Sequence, residues 1–313
     1  MKKILLLGGY GFIGTNILKY IENFLSSEYS VIVFDRTLTH PYGVTFNCIE
    51  KAYAGDFGDK TIVRSIFDEH KFDYVIHTIS TTVPSTSVNA RFDIESNLLP
   101  TIDLLDILVE YNTPDIIYLS SGGAIYGDMF NALPHKETNI EFPKSSYGVV
   151  KLAIEKYLFQ YKELYQIHPI ILRLSNPYGL YHYSMKQGII NIGLKFAALD
   201  QRFEVWGNGE AKKDYIFIND FCYILFEMIR QEIKDGIFNV ASNEILSVNQ
   251  ILTQIKVYFP GFSWSNIEYK KNDVSHFQLD TTKLLNSIGK VKFTPFNKGL
   301  LKTIEWIKNT KAD

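Results

Sequence analysis

At 313 residues and 46% hydrophobic content, the chain is long enough to bury a sizeable core, and it reads as one large and one smaller domain. A net charge of −2 offers no basic face to nucleic acid or to an anionic membrane, so any affinity for phosphate must be local. The two cysteines, Cys48 and Cys222, match no metal or redox spacing, and no apolar run approaches the length of a membrane span, so a cytoplasmic protein is expected.

The first element organises the rest. The apolar run Ile4-Leu-Leu-Leu7 suits a parallel strand buried on both faces. It stops at Gly8, too soon for the apolar core of a secretory leader. Gly8, Gly11 and Gly14 follow, and apolar residues at Ile13, Ile17, Leu18, Ile21 and Leu25 mark a helix over 12–25. Gly8 and Gly11 permit a tight turn close to a pyrophosphate, and Gly14 permits close packing of helix on strand. Phe12 and Ile13 carry the first helical amides, where the dipole favours an anion. About twenty residues on, Val31-Ile-Val-Phe34 ends at Asp35, where a dinucleotide site holds a ribose 2′-hydroxyl; the adjacent Arg36 is the residue able to pair with a 2′-phosphate instead.

Residues 37–53 read as loop and a weak strand. Asp56 and Phe57 then precede a helix over 60–70, and Asp56 either caps a turn or accepts from an adenine amine. A buried strand over 74–79 carries His77, read as a packed or hydrogen-bonded histidine. A long helix over 90–111 contains Asn97, is interrupted by Pro100 and stops before Pro114. A strand over 116–121 runs into Gly122-Gly-Ala-Ile-Tyr126-Gly127; a helix over 146–165 and a strand over 169–174 follow. Strands alternating with helices of this length predict an α/β fold with a doubly wound parallel sheet.

Beyond Asn176-Pro-Tyr-Gly179 the alternation loosens. Short strands are expected over 203–206, 215–218 and 267–269, and helices over 188–199, 221–231, 248–259 and 298–307. The expected division is residues 1–175, with a returning strand near 236–241, against an interleaved α+β domain over 176–313. His182, on the loop after Gly179, reads either as a substrate contact or as a solvated residue.

Tyr147 and Lys151 stand four apart on one helical face. A free tyrosine titrates near 10 and is a poor base at neutral pH, but a neighbouring ammonium favours the phenolate, which can then take a proton from a hydroxyl. In a chain with 20 tyrosines, this pair alone reads as part of an ordinary surface helix.

The pair has company. Gly8-x-x-Gly11-x-x-Gly14, Asp35, Asp56, Ser120-Ser121-Gly-Gly-Ala-Ile-Tyr126-Gly127, Tyr147-Gly-Val-Val-Lys151 and Arg173-Leu-Ser-Asn176-Pro-Tyr-Gly179 occur in order. Lys213-Asp-Tyr-Ile-Phe-Ile-Asn-Asp220 and Lys270-Lys-Asn-Asp273 come later. Together they resemble the extended short-chain dehydrogenase/reductase family, in its nucleotide-sugar epimerase/dehydratase branch, over nearly the whole chain. The resemblance implies a Rossmann-type domain that binds NAD through Gly8, Gly11, Phe12, Ile13, Gly14, Asp35, Arg36, Asp56 and Phe57. It implies Tyr147 as the catalytic acid/base and Lys151 as its partner on the nicotinamide ribose. Asn176, Lys213 and Lys270 would hold the nucleotide sugar. Lysines stand at 213 and 270 where the family usually has arginines, which keeps the charge but loses the bidentate fork.

The family's catalytic serine or threonine would fall at Gly122. Ser121 is the nearest hydroxyl, although on a continuing strand it faces the other way. Gly123, Ala124 and Ile125 lack the acidic residue of the dehydratases and decarboxylases, and neither cysteine lies near a motif, which disfavours epimerisation at C3 and C5. Redox at C4 of a UDP- or dTDP-linked hexose remains: a 4-epimerase, or an NAD(P)H-dependent 4-ketoreductase acting on a 6-deoxy-4-keto sugar. A non-catalytic NAD-binding member is the third possibility. No metal is expected, because no histidine–carboxylate cluster has ligand spacing. The family also implies a homodimer through the helices over 90–111 and 146–165, and surface-polysaccharide synthesis as a common setting.

Overall fold

The structure, a computed structural model, describes residues 1–113, 115–127, 134–268 and 276–310. In chain order the elements are β1 (Lys2–Leu7), α1 (Phe12–Tyr20), β2 (Tyr29–Asp35), β3 (Ile49–Ala54), α2 (Lys60–Glu69), β4 (Tyr74–His77), α3 (Ala90–Asp93), α4 (Leu99–Glu110), β5 (Asp115–Ser121), α5 (Gly122–Ile125) and α6 (Ser146–Tyr165). Then come β6 (His168–Leu174), β7 (Asn176–Tyr178), α7 (Ile189–Ala198), β8 (Phe203–Trp206), β9 (Lys212–Phe217), α8 (Ile218–Arg230), β10 (Gly236–Val240), β11 (Glu244–Ser247), α9 (Val248–Tyr258), β12 (Trp264–Ile267), α10 (Thr282–Ile288) and α11 (Phe296–Thr310).

The chain divides into two compact units. The first comprises Met1–Ser121, Ser145–Arg173 and Met228–Phe238, and the second Gly122–Lys144, Leu174–Glu227 and Asn239–Asp313. A seven-stranded sheet in the order β10-β6-β5-β4-β1-β2-β3 underlies the first unit, with β1 paired parallel to both β2 and β4. This is the strand order of a doubly wound nucleotide-binding sheet, as the alternation predicts. The order reverses between β1 and β4, so ligands are expected beyond their carboxyl ends. Leu5, Leu7, Ile32, Val75 and Ile116 are buried in a core shared with Leu104, Leu108, Ile154 and Leu158 of the helices. On the two helices through which a homodimer is expected, Leu105, Leu108, Ile154 and Leu158 pack in the unit's own core. The apolar residues left exposed on these helices include Phe92, Leu99, Val149, Tyr157 and Leu164.

The helix expected over 90–111 is three segments, with a π-helical turn over Ile94–Leu98 between α3 and α4. Pro100 lies in the first turn of α4, directly after the π-turn. The wide turn places Asn97, whose side chain takes the Thr81 amide at 2.8 Å and donates to Thr81 Oγ1 at 2.6 Å. Asn97 thereby fixes the loop after β4.

The second unit has a three-stranded sheet, β11-β9-β7, and a two-stranded one, β12-β8. Its core gathers Tyr178, Leu194, Phe217, Leu252, Phe262 and Leu300. The strand expected over 267–269 is β12, three residues earlier at its start, and β7, β11, α5 and α10 are additions to the predicted elements. Both cysteines, Cys48 and Cys222, are buried and free of any disulfide.

Candidate active site

Among the glycines of the first turn, two are demanded by the fold itself. Gly8 has φ +83°, and a Cβ there would stand 2.7 Å from Thr78 Oγ1; a Cβ at Gly14 would stand 2.2 Å from the Gly8 carbonyl oxygen. Gly11 differs. A Cβ there would meet only that same carbonyl oxygen, at 3.4 Å, so the protein itself has room for a side chain at the start of α1. The missing side chain leaves the helix N-terminus open to an anion, which is the provision a dinucleotide pyrophosphate needs.

Asp35 ends β2 with Oδ2 on the Tyr10 amide at 2.8 Å and Oδ1 on the Arg36 amide at 2.7 Å. The Tyr10 ring stacks on Phe46, and His40 bonds Thr15 Oγ1 at 3.1 Å, so residues 36–47 close against the glycine turn. Arg36 is exposed. Asp56 Oδ1 accepts the Gly58 amide at 2.7 Å. The Phe57 ring is buried in the core, 5.0 Å from the His77 ring.

Tyr147 occupies the first turn of α6. Ser145 caps this helix by accepting the Gly148 amide, and the Tyr147 amide donates to Ser87 Oγ at 2.7 Å. Ser87 in turn donates to the buried Asp93 at 2.6 Å, tying the start of α6 to α3. One turn on, the buried Lys151 donates from Nζ to the Leu119 carbonyl at 2.8 Å and lies 4.7 Å from the Tyr118 ring centroid and 5.8 Å from that of Tyr147. Burial pulls Lys151 down to about 7, opposed by the Glu155 carboxylate another turn along. Burial likewise pushes Tyr147 up to about 12, opposed by its hydrogen bonds with Ser121 and Ser80.

Ser121 therefore does not face away. The strand pleat ends with it, because Gly122 already belongs to α5, and the hydroxyl reaches the Tyr147 phenol. Gly122 cannot take over that role. A Cβ there would lie 2.8 Å from Leu279 Cδ1 and 3.0 Å from Phe277 Cζ, two buried side chains of its own unit. The sequence missed Ser80, since nothing about an Ile-Ser-Thr-Thr segment marks it.

Behind the pair lies a cavity of about 10 Å³, walled in part by His77, Ser80, Asn97, Tyr118, Tyr147 and Lys151. Thr101 spends its hydroxyl hydrogen on the Asn97 carbonyl at 2.6 Å, so at 3.1 Å it accepts from His77 Nε2. His77 is thus packed and hydrogen-bonded, as expected, and burial beside Lys151 holds it down to about 3. Deeper still, Glu155 is fully buried against Arg173, with Nη2 at 2.6 Å, and accepts from Ser120 Oγ at 2.5 Å.

In the second unit, Asn176 Nδ2 donates to the Asp214 carbonyl at 2.8 Å, and Lys213 sits half-buried on β9. Burial pushes the Asp214 carboxyl up to about 8, against backbone amides of Ser242, Asn243 and Leu279. His182 is buried rather than solvated, which holds it down to about 4. Lys270 lies outside the described residues. Among the described residues no group of histidine, cysteine, aspartate and glutamate side chains has the arrangement of a metal site.

A doubly wound sheet, a glycine turn at its switch point and a Tyr-x-x-x-Lys pair against β5 define an extended short-chain dehydrogenase/reductase. The chain belongs to the NAD-dependent epimerase/dehydratase family, whose model matches residues 4–241. It is 32% identical over 313 residues to a Methanocaldococcus jannaschii protein whose description as a UDP-glucose 4-epimerase is provisional, with 98% of each chain covered. It is 30% identical over 257 residues to the dTDP-4-dehydro-6-deoxyglucose reductase of Escherichia coli, covering 81% of this chain and 80% of that one. The crystal structure of Thermotoga maritima UDP-glucose 4-epimerase with UDP-glucose superimposes with a TM-score of 0.90 at 26% identity, covering 99% of both chains.

Proposed function

We propose that the protein is an NAD-dependent 4-epimerase of a nucleotide-linked hexose, with UDP-glucose and UDP-galactose as the substrate pair to test. The observation that carries this reading is the half-buried Tyr147, with a hydroxyl on its phenol oxygen and Lys151 one turn away. Gly8, Gly11, Gly14 and the first amides of α1, at Phe12 and Ile13, hold the cofactor pyrophosphate; Asp35 holds the adenosine ribose, flanked by Arg36; and Asp56 and the Phe57 backbone bound the adenine. Bound NAD⁺ supplies the acceptor for a hydride from C4.

Tyr147, as phenolate, takes the proton of the sugar 4-hydroxyl while the C4–H bond breaks, and it returns that proton when hydride comes back to the opposite face. The cycle has no net redox change and no net proton change. Lys151, as ammonium, favours the phenolate and bonds the nicotinamide ribose. Ser121 donates to the reacting oxygens. Asn176, Lys213 and Lys270 hold the nucleotide diphosphate as donors and cations. Gly123, Ala124 and Ile125 offer no acid to expel a 6-hydroxyl, which favours epimerisation over dehydration.

We place the activity in the cytoplasm; among the described residues no helix is long and apolar enough to cross a membrane. We further propose a homodimer through the exposed Phe92, Leu99, Val149, Tyr157 and Leu164. The test incubates purified protein with UDP-glucose and NAD⁺ and measures UDP-galactose. Conversion that disappears in Tyr147→Phe supports the reading. The E. coli reductase relative supplies the rival, and consumption of NAD(P)H with a dTDP-6-deoxy-4-keto sugar, without epimerisation of UDP-glucose, overturns it.

A further inference from the structure

Two hydroxyls, not one, meet the Tyr147 oxygen. Ser121 matches the neighbourhood of a family motif, whereas Ser80 lies on the loop three residues beyond β4 and belongs to none. Ser80 Oγ also donates to the Thr82 carbonyl at 2.9 Å. A serine hydroxyl has one hydrogen and two lone pairs. With that hydrogen on Thr82, Ser80 can only accept from Tyr147, so the neutral phenol donates to Ser80 and accepts from Ser121. This fixes the direction of every bond at the phenol oxygen.

Ionisation reverses one of them. Once the phenol has lost its hydrogen, Ser80 has nothing to accept, and a turn about its Cβ–Oγ bond moves its hydrogen from the Thr82 carbonyl to the phenolate. A bond to a charged oxygen is roughly twice as strong as one to a neutral carbonyl, so the exchange is favourable. We infer that Ser80 is a catalytic residue whose hydroxyl, with that of Ser121, forms a two-donor seat for the phenolate oxygen of Tyr147. The seat supplies stabilisation at a site where Gly122 carries no hydroxyl. The loop is held for this purpose by Asn97, which bonds both the amide and the hydroxyl of Thr81 next to Ser80. The other titratable groups around the shared cavity are Lys151 from α6, Tyr118 from β5 and His77 from β4. Ser80 keeps its own proton throughout, and the proton transferred in catalysis is that of the sugar hydroxyl.

The inference rests on Tyr147 being the acid/base, and the test separates the two. Phenolate absorbance is titrated in NAD-loaded protein and referenced to Tyr147→Phe, which isolates this one tyrosine. Ser80→Ala is expected to raise the Tyr147 pKa by about one unit or more and to lower kcat by about tenfold, with the KM for UDP-glucose unchanged. Ser80→Thr, which keeps the hydroxyl, is expected to restore both. Ser80→Cys, a poor donor of similar size, is expected to follow Ser80→Ala and serves if the alanine variant folds poorly. An unshifted titration in Ser80→Ala and Ser80→Cys overturns the inference even where Tyr147→Phe is inactive. Full activity in Tyr147→Phe overturns the acid/base reading instead, while the titration still reports whether Ser80 bonds the phenolate.

Discussion

Restoring the family's serine at position 122 is the substitution that the sequence invites and the structure forbids. Gly122→Ser places a Cβ 2.8 Å from Leu279 Cδ1, 3.0 Å from Phe277 Cζ and 3.1 Å from Leu279 Cδ2. Relaxed carbon contacts lie at roughly 3.5–4.0 Å. Leu279 and Phe277 are 0% and 2% exposed and pack with Tyr126 and Ala241, so neither has space to retreat. Overpacking of this kind costs about 1–3 kcal/mol. In a chain of this size each kcal/mol lowers Tm by on the order of 2–4 °C. A thermal melt of Gly122→Ser should therefore fall by several degrees with no gain in turnover. Ser121→Ala, measured beside it, should melt close to the wild type and lose on the order of 10²-fold in turnover, because the hydroxyl that meets the reacting oxygen is gone. A Gly122→Ser protein that melts normally and turns over faster would refute this reasoning, since the added hydroxyl would then reach the substrate past side chains that should block it.

Other perturbations test other parts of the first unit. Arg173→Met strands the Glu155 carboxylate in the core and should cost about 3–5 kcal/mol in chemical denaturation, most of it recovered in Glu155→Gln/Arg173→Met; an additive double variant would show that the two side chains are not coupled. NAD⁺ should bind more tightly than NADP⁺ by calorimetry, because a 2′-phosphate would meet the Asp35 carboxylate, and a mismatch of only ~1.4 kcal/mol is already tenfold; equal affinity would mean that Arg36 compensates. Light scattering at micromolar concentration should give a dimer, and Val149→Glu with Tyr157→Glu should give a monomer, since both side chains are exposed on α6.

The parts of the site written as backbone requirements were the most legible. Glycines at 8 and 14 constrain a turn wherever the chain goes next, and α6 spans Ser146–Tyr165 as expected. What sequence could not convey was direction. An apolar stripe on α6 says that one face is covered but not by what; Ile154 and Leu158 turned out to be core, and Val149 and Tyr157 exposed. Alternation along β5 predicts a Ser121 that faces away, whereas at the end of the strand its hydroxyl bonds the Tyr147 phenol. Ser80 was invisible for a related reason. Its place depends on Asn97 in the π-turn, a contact between loop and helix that no local pattern announces.

The charge state of the central pair leads to the last prediction. Burial without a cofactor drives both groups toward their neutral forms, with Tyr147 near 12 and Lys151 near 7, whereas catalysis requires phenolate and ammonium. Between about pH 8 and 10 the cofactor-free site thus holds a phenol and an amine, and reaching the active form needs only a proton moved from one to the other. Below about pH 6 the lysine is already charged, so forming the phenolate must release a proton to solvent. The sign for folding follows from the same shift. A lysine with a depressed folded-state pKa binds fewer protons folded than unfolded between about 7 and 10.5, so cofactor-free stability should rise with pH across that window, and Lys151→Met should flatten the rise. For binding, calorimetry of NAD⁺ in buffers of different ionisation enthalpy should show proton release below pH 6 falling to none above pH 8. Phenolate absorbance should appear on binding at both pH values and vanish in Tyr147→Phe. Proton release that persists undiminished at pH 9 would mean that Lys151 stays charged in the cofactor-free protein, and that Leu119, Tyr118 and Glu155 hold the ammonium against its burial.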